Sequence, residues 1–153
     1  MTQLDWTRIE SALSDEGVAI VRGVLDPSHA RSWARELAPG LRRLCAGEYE
    51  PLHRCPAAED GVPLRVVVLL SEPGTDFDGG ELVITERRPR MQTRPIVVPL
   101  GLGDAAILPT AGRPASGGRG VIDVKHGVSR VRSGERLTLE LPFQPPRTLR
   151  EPR

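Results

Sequence analysis

Two histidines and an arginine are the residues of this chain best placed to do chemistry. His53 stands in the stretch HRC, His126 in KHGV, and Arg136 ten residues beyond His126 in ERLTLEL. Two imidazoles from distant segments can hold a divalent iron when a carboxylate completes the set, leaving open positions for oxygen and substrate. At a strand end, the residue two beyond His53 shares its face. That residue is Cys55, where the chemistry calls for a carboxylate. Arg136 offers a planar fork that matches a carboxylate, and Thr138, two residues further on the same strand face, can donate its hydroxyl to the same group.

These residues need strands to hold them. Trp6, Ile9 and Leu13 lie on one helical face and Gly17 ends that helix. VAIVRGVL (18–25) reads as a strand. Asp26-Pro27 starts a second helix, with Asp as cap and Pro in the first turn; that helix is expected to run to Pro39-Gly40, followed by a short connection carrying Arg42 and Arg43. Strands are expected at 64–72, 81–86 after the turn DFDGG, 94–100 and 103–109. Two more lie at 121–128 and 136–143, hinged by the turn RSGE, with a flexible loop over 113–120. Strands at this spacing between Gly/Pro turns indicate a sandwich or barrel. The expected organisation is one domain over 1–153: helical support over 1–40, a β core over 45–143 and a flexible tail over 144–153.

Fifteen prolines and 16 glycines against 3% aromatic residues agree with a turn-rich β protein whose core rests on Val, Leu, Ile and Ala. Charge is nearly balanced, 21 Lys and Arg against 20 Asp and Glu, so no global field directs the chain to nucleic acid or a membrane surface. The longest apolar run, VVVLL, is far short of a membrane span. The polar start MTQLDWTRIE lacks the pattern of a signal peptide, so a cytoplasmic location and free thiols at Cys45 and Cys55 are expected.

The stretches GEYEPLHRC, VPLRVVVLLSEPGTDFDGGELVITERRPRMQTR, VPLGLGDAAIL and KHGVSRVRSGERLTL resemble the Fe(II)- and 2-oxoglutarate-dependent oxygenases. The likeness is strongest to a bacterial prolyl-hydroxylase-like group associated in places with damaged nucleic acid. It covers about two thirds of the chain and is most specific over 69–94. It implies a mainly β fold, a double-stranded β-helix (jelly roll) behind two N-terminal helices. It also implies Fe(II) and 2-oxoglutarate as cofactors, with iron held by His53 and His126 and the cosubstrate by Arg136; Cys55 is the candidate third ligand and catalytic thiol, and Thr138 the candidate helper of Arg136. Three departures stand out. Cys55 replaces the family's Asp, Leu44 replaces an aromatic residue before the first His, and the segment between helices and motif is short. A short support predicts exposed sheet covered by a second copy of the chain, a homodimer.

Cys55 admits three readings: a lost or repurposed site, a metal–thiolate site, or a vacancy that a halide fills beside the metal. Three functions follow. The first is a dioxygenase of the 2-oxoglutarate type that oxidises a small-molecule or modified substrate. The second is a metal–thiolate enzyme that has abandoned 2-oxoglutarate. The third is a non-catalytic module binding a small acid or a partner. Nucleic acid as partner rests on the basic run Arg87, Arg88, Arg90 and Arg94, which has no aromatic residue between to stack a base; a solvated loop accounts for it equally. His29 is expected in solvent, and DFDGG as a strand turn rather than a calcium loop.

Overall fold

The structure is a computed structural model that describes residues 4–36, 38–55, 63–110, 112–114 and 120–145. Helix α1 (Trp6–Glu16) starts where the Asp5 side chain accepts the Arg8 N–H and ends at Gly17, in the left-handed conformation at φ 78°. Strand β1 (Ala19–Val21) follows. Helix α2 (Pro27–Trp33) is capped by Asp26, which accepts from the Ser28 and His29 N–H groups. It stops six residues short of Pro39, because Arg35 and Glu36 donate to Ser32 and Trp33, three residues back, and wind the end into a tighter turn.

The remaining strands are β2 (Leu41–Cys45), β3 (Glu50–His53), β4 (Leu64–Leu69), β5 (Phe77–Gly79), β6 (Leu82–Arg87), β7 (Arg94–Val98), β8 (Ala105–Pro109), β9 (Arg113–Pro114), β10 (Val121–Val128) and β11 (Val131–Phe143). They form two antiparallel sheets. The larger runs β1-β8-β4-β11-β2, with β5 beside β11; the smaller runs β3-β10-β6-β7, with β9 beside β10. This is the expected jelly roll. Three expectations are corrected. The segment carrying Arg42 and Arg43 is strand β2, paired with β11. DFDGG contributes a short strand, β5. RSGE is no hinge: it lies inside β11, and the chain passes from the smaller sheet to the larger at Ser129-Arg130 instead. Gly134, at φ 75°, bends β11 there while the Glu135 N–H donates to Asp76 O and holds it to β5. Most of the expected tail, 146–153 of 144–153, and most of the expected loop, 115–119 of 113–120, lie outside the described residues.

Which side of β11 faces inward decides the site. Val67, Leu82, Ile84, Val98, Leu108 and Ile122 fill the space between the sheets, each contributing about 1.5–3 kcal/mol by leaving water. The outer face of the larger sheet is also covered: Val68, Leu70 and Leu139 pack under Ala30 of α2, and Ile107 and Ala19 under Ile9 of α1. The leucines of β11 therefore turn toward the helices. Its alternate residues, Arg136, Thr138 and Glu140, point between the sheets and are buried to 3%, 0% and 7% exposure.

Asp104 ties β1 to the entry of β8. Its carboxylate accepts from the Gly23 N–H (2.9 Å), the Gly101 N–H (2.8 Å) and Arg22 Nη1 (2.6 Å). Burial opposes its charge, but those bonds prevail and hold its pKa below the ordinary carboxylate value. Asp104→Ala leaves two backbone donors unpaired and is expected to destabilise the fold by about 2–4 kcal/mol in urea unfolding. Because the bound form is the ionised one, that deficit is present above the unfolded carboxylate pKa and shrinks as the pH falls through the folded one.

Candidate metal centre and carboxylate anchor

β3 and β10 are antiparallel neighbours, and their register sets His53 directly opposite His126. The two rings lie 4.4 Å apart between centroids, inclined at 52°. The Glu50 carboxylate joins them: one ligand atom from each of Glu50, His53 and His126 lies within 4.8 Å of the others. His53 Nδ1 is 2.9 Å from Pro51 O. A carbonyl can only accept, so Nδ1 carries a proton, and Nε2 is the nitrogen whose lone pair a metal would take. That Nε2 is 3.4 Å from Glu50 Oε1. His126 is 5% exposed, and its Nε2 has no hydrogen-bond partner among the described residues. Two imidazole lone pairs and a carboxylate turned on one point make a donor set that fits a divalent transition metal.

Cys55, expected as the third ligand, is buried but outside this group. β3 ends at His53, so the alternation that would have carried position 55 to the same face stops two residues too early. Both cysteines are free thiols.

Arg136 and Thr138 are brought together as expected, on the facing sheet. Both line a cavity of about 220 Å³ shared with Arg42, Tyr49, Glu50 and Glu140. Arg136 Nε and Thr138 Oγ1 are buried and have no hydrogen-bond partner among the described residues. Such groups cost about 1–3 kcal/mol each when unmet, and an anionic carboxylate at this place would satisfy both. Burial lowers the Arg136 pKa, against the pull of Glu140 and Glu50. Burial, with Glu50 nearby, raises that of Glu140 in spite of Arg65, Arg42 and Arg136; its Oε2 lies 3.4 Å from Arg65 Nη1 and 3.9 Å from Arg42 Nε.

Four residues of this site were not singled out in the sequence. Glu50 and Glu140 bear charges in it. Gly80 and Gly127 make room for it: a Cβ on Gly80 would meet Arg136 Cδ at 3.0 Å, and one on Gly127 would meet Glu50 O at 2.6 Å. The available signals were a glycine directly after His126 and the Gly-Gly of DFDGG. His29 is solvent-exposed, as expected, and bonds to Asp26.

A family model described as "Oxygenase, catalysing oxidative methylation of damaged DNA" matches residues 21–145. An uncharacterized protein of Mycobacterium tuberculosis, found in two strains, is 38% identical over 117 residues, 75% of this chain. The chain spans 50% of the length of those relatives. Among solved structures, a prolyl-4-hydroxylase of Pseudomonas putida shares the fold at a TM-score of 0.59 and 15% identity, over 86% of this chain and 87% of its own. A 2OG-Fe(II) oxygenase-family oxidoreductase of Burkholderia pseudomallei aligns at 26% identity over 65% of this chain and 38% of its own, with a TM-score of 0.46.

Burial, with smaller contributions from His53, Arg65 and Arg42, lowers the His126 pKa to about 4. Unfolded, the ring titrates at roughly 6.5, so between those values the unfolded chain binds the extra proton. Metal-free protein is therefore expected to be most stable above that range and to lose up to roughly 3 kcal/mol as the pH falls through it. Glu140, raised, contributes with the opposite sign. His126→Gln isolates the imidazole: the difference in urea unfolding between wild type and variant should depend on pH over this window, and a constant difference would reject the assignment.

Proposed function

The chain belongs to this oxygenase family, and on that premise we propose that it is an Fe(II)- and 2-oxoglutarate-dependent oxygenase acting on a small-molecule or modified substrate. One observation carries the reading. A pair of imidazoles on one sheet faces, on the other, the buried guanidinium of Arg136, whose Nε lacks a partner among the described residues. His53 and His126 hold the metal through ring nitrogens: burial keeps His126 in its neutral form, and the Nδ1 contact with Pro51 O leaves Nε2 as the ligating nitrogen of His53. Arg136 and Thr138 bind the far carboxylate of 2-oxoglutarate and orient it toward the histidines. When bound, iron and 2-oxoglutarate supply the reaction with dioxygen. The sheets exclude water from the anchor, where the guanidinium acts more strongly on an anion than it could at the surface. Residues 1–153 act as one domain in this reading.

Substrate enters on the open side of the metal group. Tyr49, which lines the same cavity as Glu50 and Arg136, is 57% exposed. A small or modified substrate with an apolar or planar face suits that rim. The family description supports a second reading, a modified nucleobase, and Tyr49 favours it because an exposed aromatic ring gives a base a surface to stack on.

Anaerobic titration tests the proposal. Fe(II) followed by 2-oxoglutarate is expected to give a visible metal-to-ligand charge-transfer band with the wild-type chain. Arg136→Gln should weaken 2-oxoglutarate about 10–100-fold, the loss of a charge-assisted pair, and leave Fe(II) affinity in place. A wild-type chain that binds Fe(II) without developing the band on adding 2-oxoglutarate rules out use of this cosubstrate.

A further inference from the structure

We infer that Glu50, supplied from upstream by a bulge in β3, is the anionic metal ligand of this site, and that Cys55 is a bystander. The inference rests on the metal site proposed above and adds which side chain completes it. In the β3–β10 ladder His126 pairs with His53 and Val128 with Glu50. Between those pairs β10 advances two residues and β3 advances three. An extra residue in one strand reverses the face of everything beyond it. Strict alternation would put Pro51 on the His53 face; the bulge puts Glu50 there.

β10 is built to allow this. Gly127 lies between the two paired positions, and a Cβ there would meet Glu50 O at 2.6 Å, Leu52 N at 3.1 Å and Pro51 C at 3.1 Å. The backbone of β3 presses onto β10 where only glycine leaves space. The result is a carboxylate 3.4 Å from His53 Nε2, beside a buried imidazole nitrogen without a partner among the described residues. Cys55 lies beyond the end of β3 and outside the group.

The chemistry agrees. Two imidazoles and a carboxylate form the set that suits ferrous iron with open positions. A thiolate in the same place would sit beside activated oxygen and be open to oxidation. Loss of Asp at position 55 thus need not cost the site its anionic ligand, because one reaches the metal from the other end of the same strand.

Cobalt(II) binding to the metal-free chain, followed by visible absorption and calorimetry, reads the ligand set without turnover. The wild type should bind cobalt(II) with ligand-field bands and no thiolate-to-cobalt charge-transfer band. Cys55→Ser should leave spectrum and affinity unchanged. Glu50→Gln should weaken binding at least about tenfold, since removing even a group that supports a ligand costs 10–100-fold. Glu50→Asp, which keeps the charge on a shorter arm, should fall between. Thermal melts of the metal-free variants check that each remains folded. A thiolate band abolished by Cys55→Ser, or unchanged affinity in Glu50→Gln, overturns the inference and leaves the oxygenase reading standing. A wild-type chain that binds no cobalt(II) overturns both.

Discussion

Unmet polar groups in a dry interior are the constraint on which this structure turns. Arg136 Nε, Thr138 Oγ1 and His126 Nε2 are all buried between the sheets without hydrogen-bond partners among the described residues. Each such group costs about 1–3 kcal/mol, a large fraction of the few kcal/mol by which a domain is stable. A sandwich with Ile84, Ile122, Val67 and Leu108 at its centre could have filled these positions with more aliphatic side chains. Instead these three atoms belong to two sets, two imidazoles with the Glu50 carboxylate at one place, a guanidinium and a hydroxyl at another. Each set is complementary to a different kind of ligand, a cation and an anion respectively. The fold accepts a deficit that binding would remove.

The larger sheet makes this arrangement affordable. Helices α1 and α2 cover its outer face, so β11 buries its leucines on the outside and is free to turn its polar residues inward. That is why alternation in RLTLEL could not assign the faces: both are buried, and the apolar one is not the interior of the barrel. The capped elements were legible for the opposite reason. Asp26-Pro27 and Gly17 act through bonds to their own neighbours, and local chemistry decided them. RSGE has the composition of a turn, yet pairing with β5 keeps it in the strand. Leu41–Cys45 carries two adjacent arginines and little strand character, and becomes a strand because β11 offers it an edge.

The metal group shows the same division. His53, His126, Arg136 and Thr138 could be picked out because their order and spacing match a known arrangement, and the structure brings the first two face to face and the last two onto one wall. Glu50 could not. Its place depends on a shift of register between two strands more than seventy residues apart in sequence, and nothing in GEYEPLHRC marks the extra residue. Only Gly127 hints at it, from the partner strand. A site residue that reaches its position through a bulge is invisible to any reading based on period 2.

The charge around the anchor can be weighed from the same side chains. Arg42, Arg43 and Arg136 line the cavity with Glu50 and Glu140, and Arg65 Nη1 lies 3.4 Å from Glu140 Oε2, which by formal count is a small excess of positive charge. Burial alters the count. It raises the pKa of Glu140 and so favours its neutral form, whereas a guanidinium lowered by desolvation still remains charged at any physiological pH. Glu50, if bound to a metal, is neutralised by it. An entering carboxylate thus meets more arginines than carboxylates among the side chains that line the cavity, although the chain as a whole is close to electroneutral.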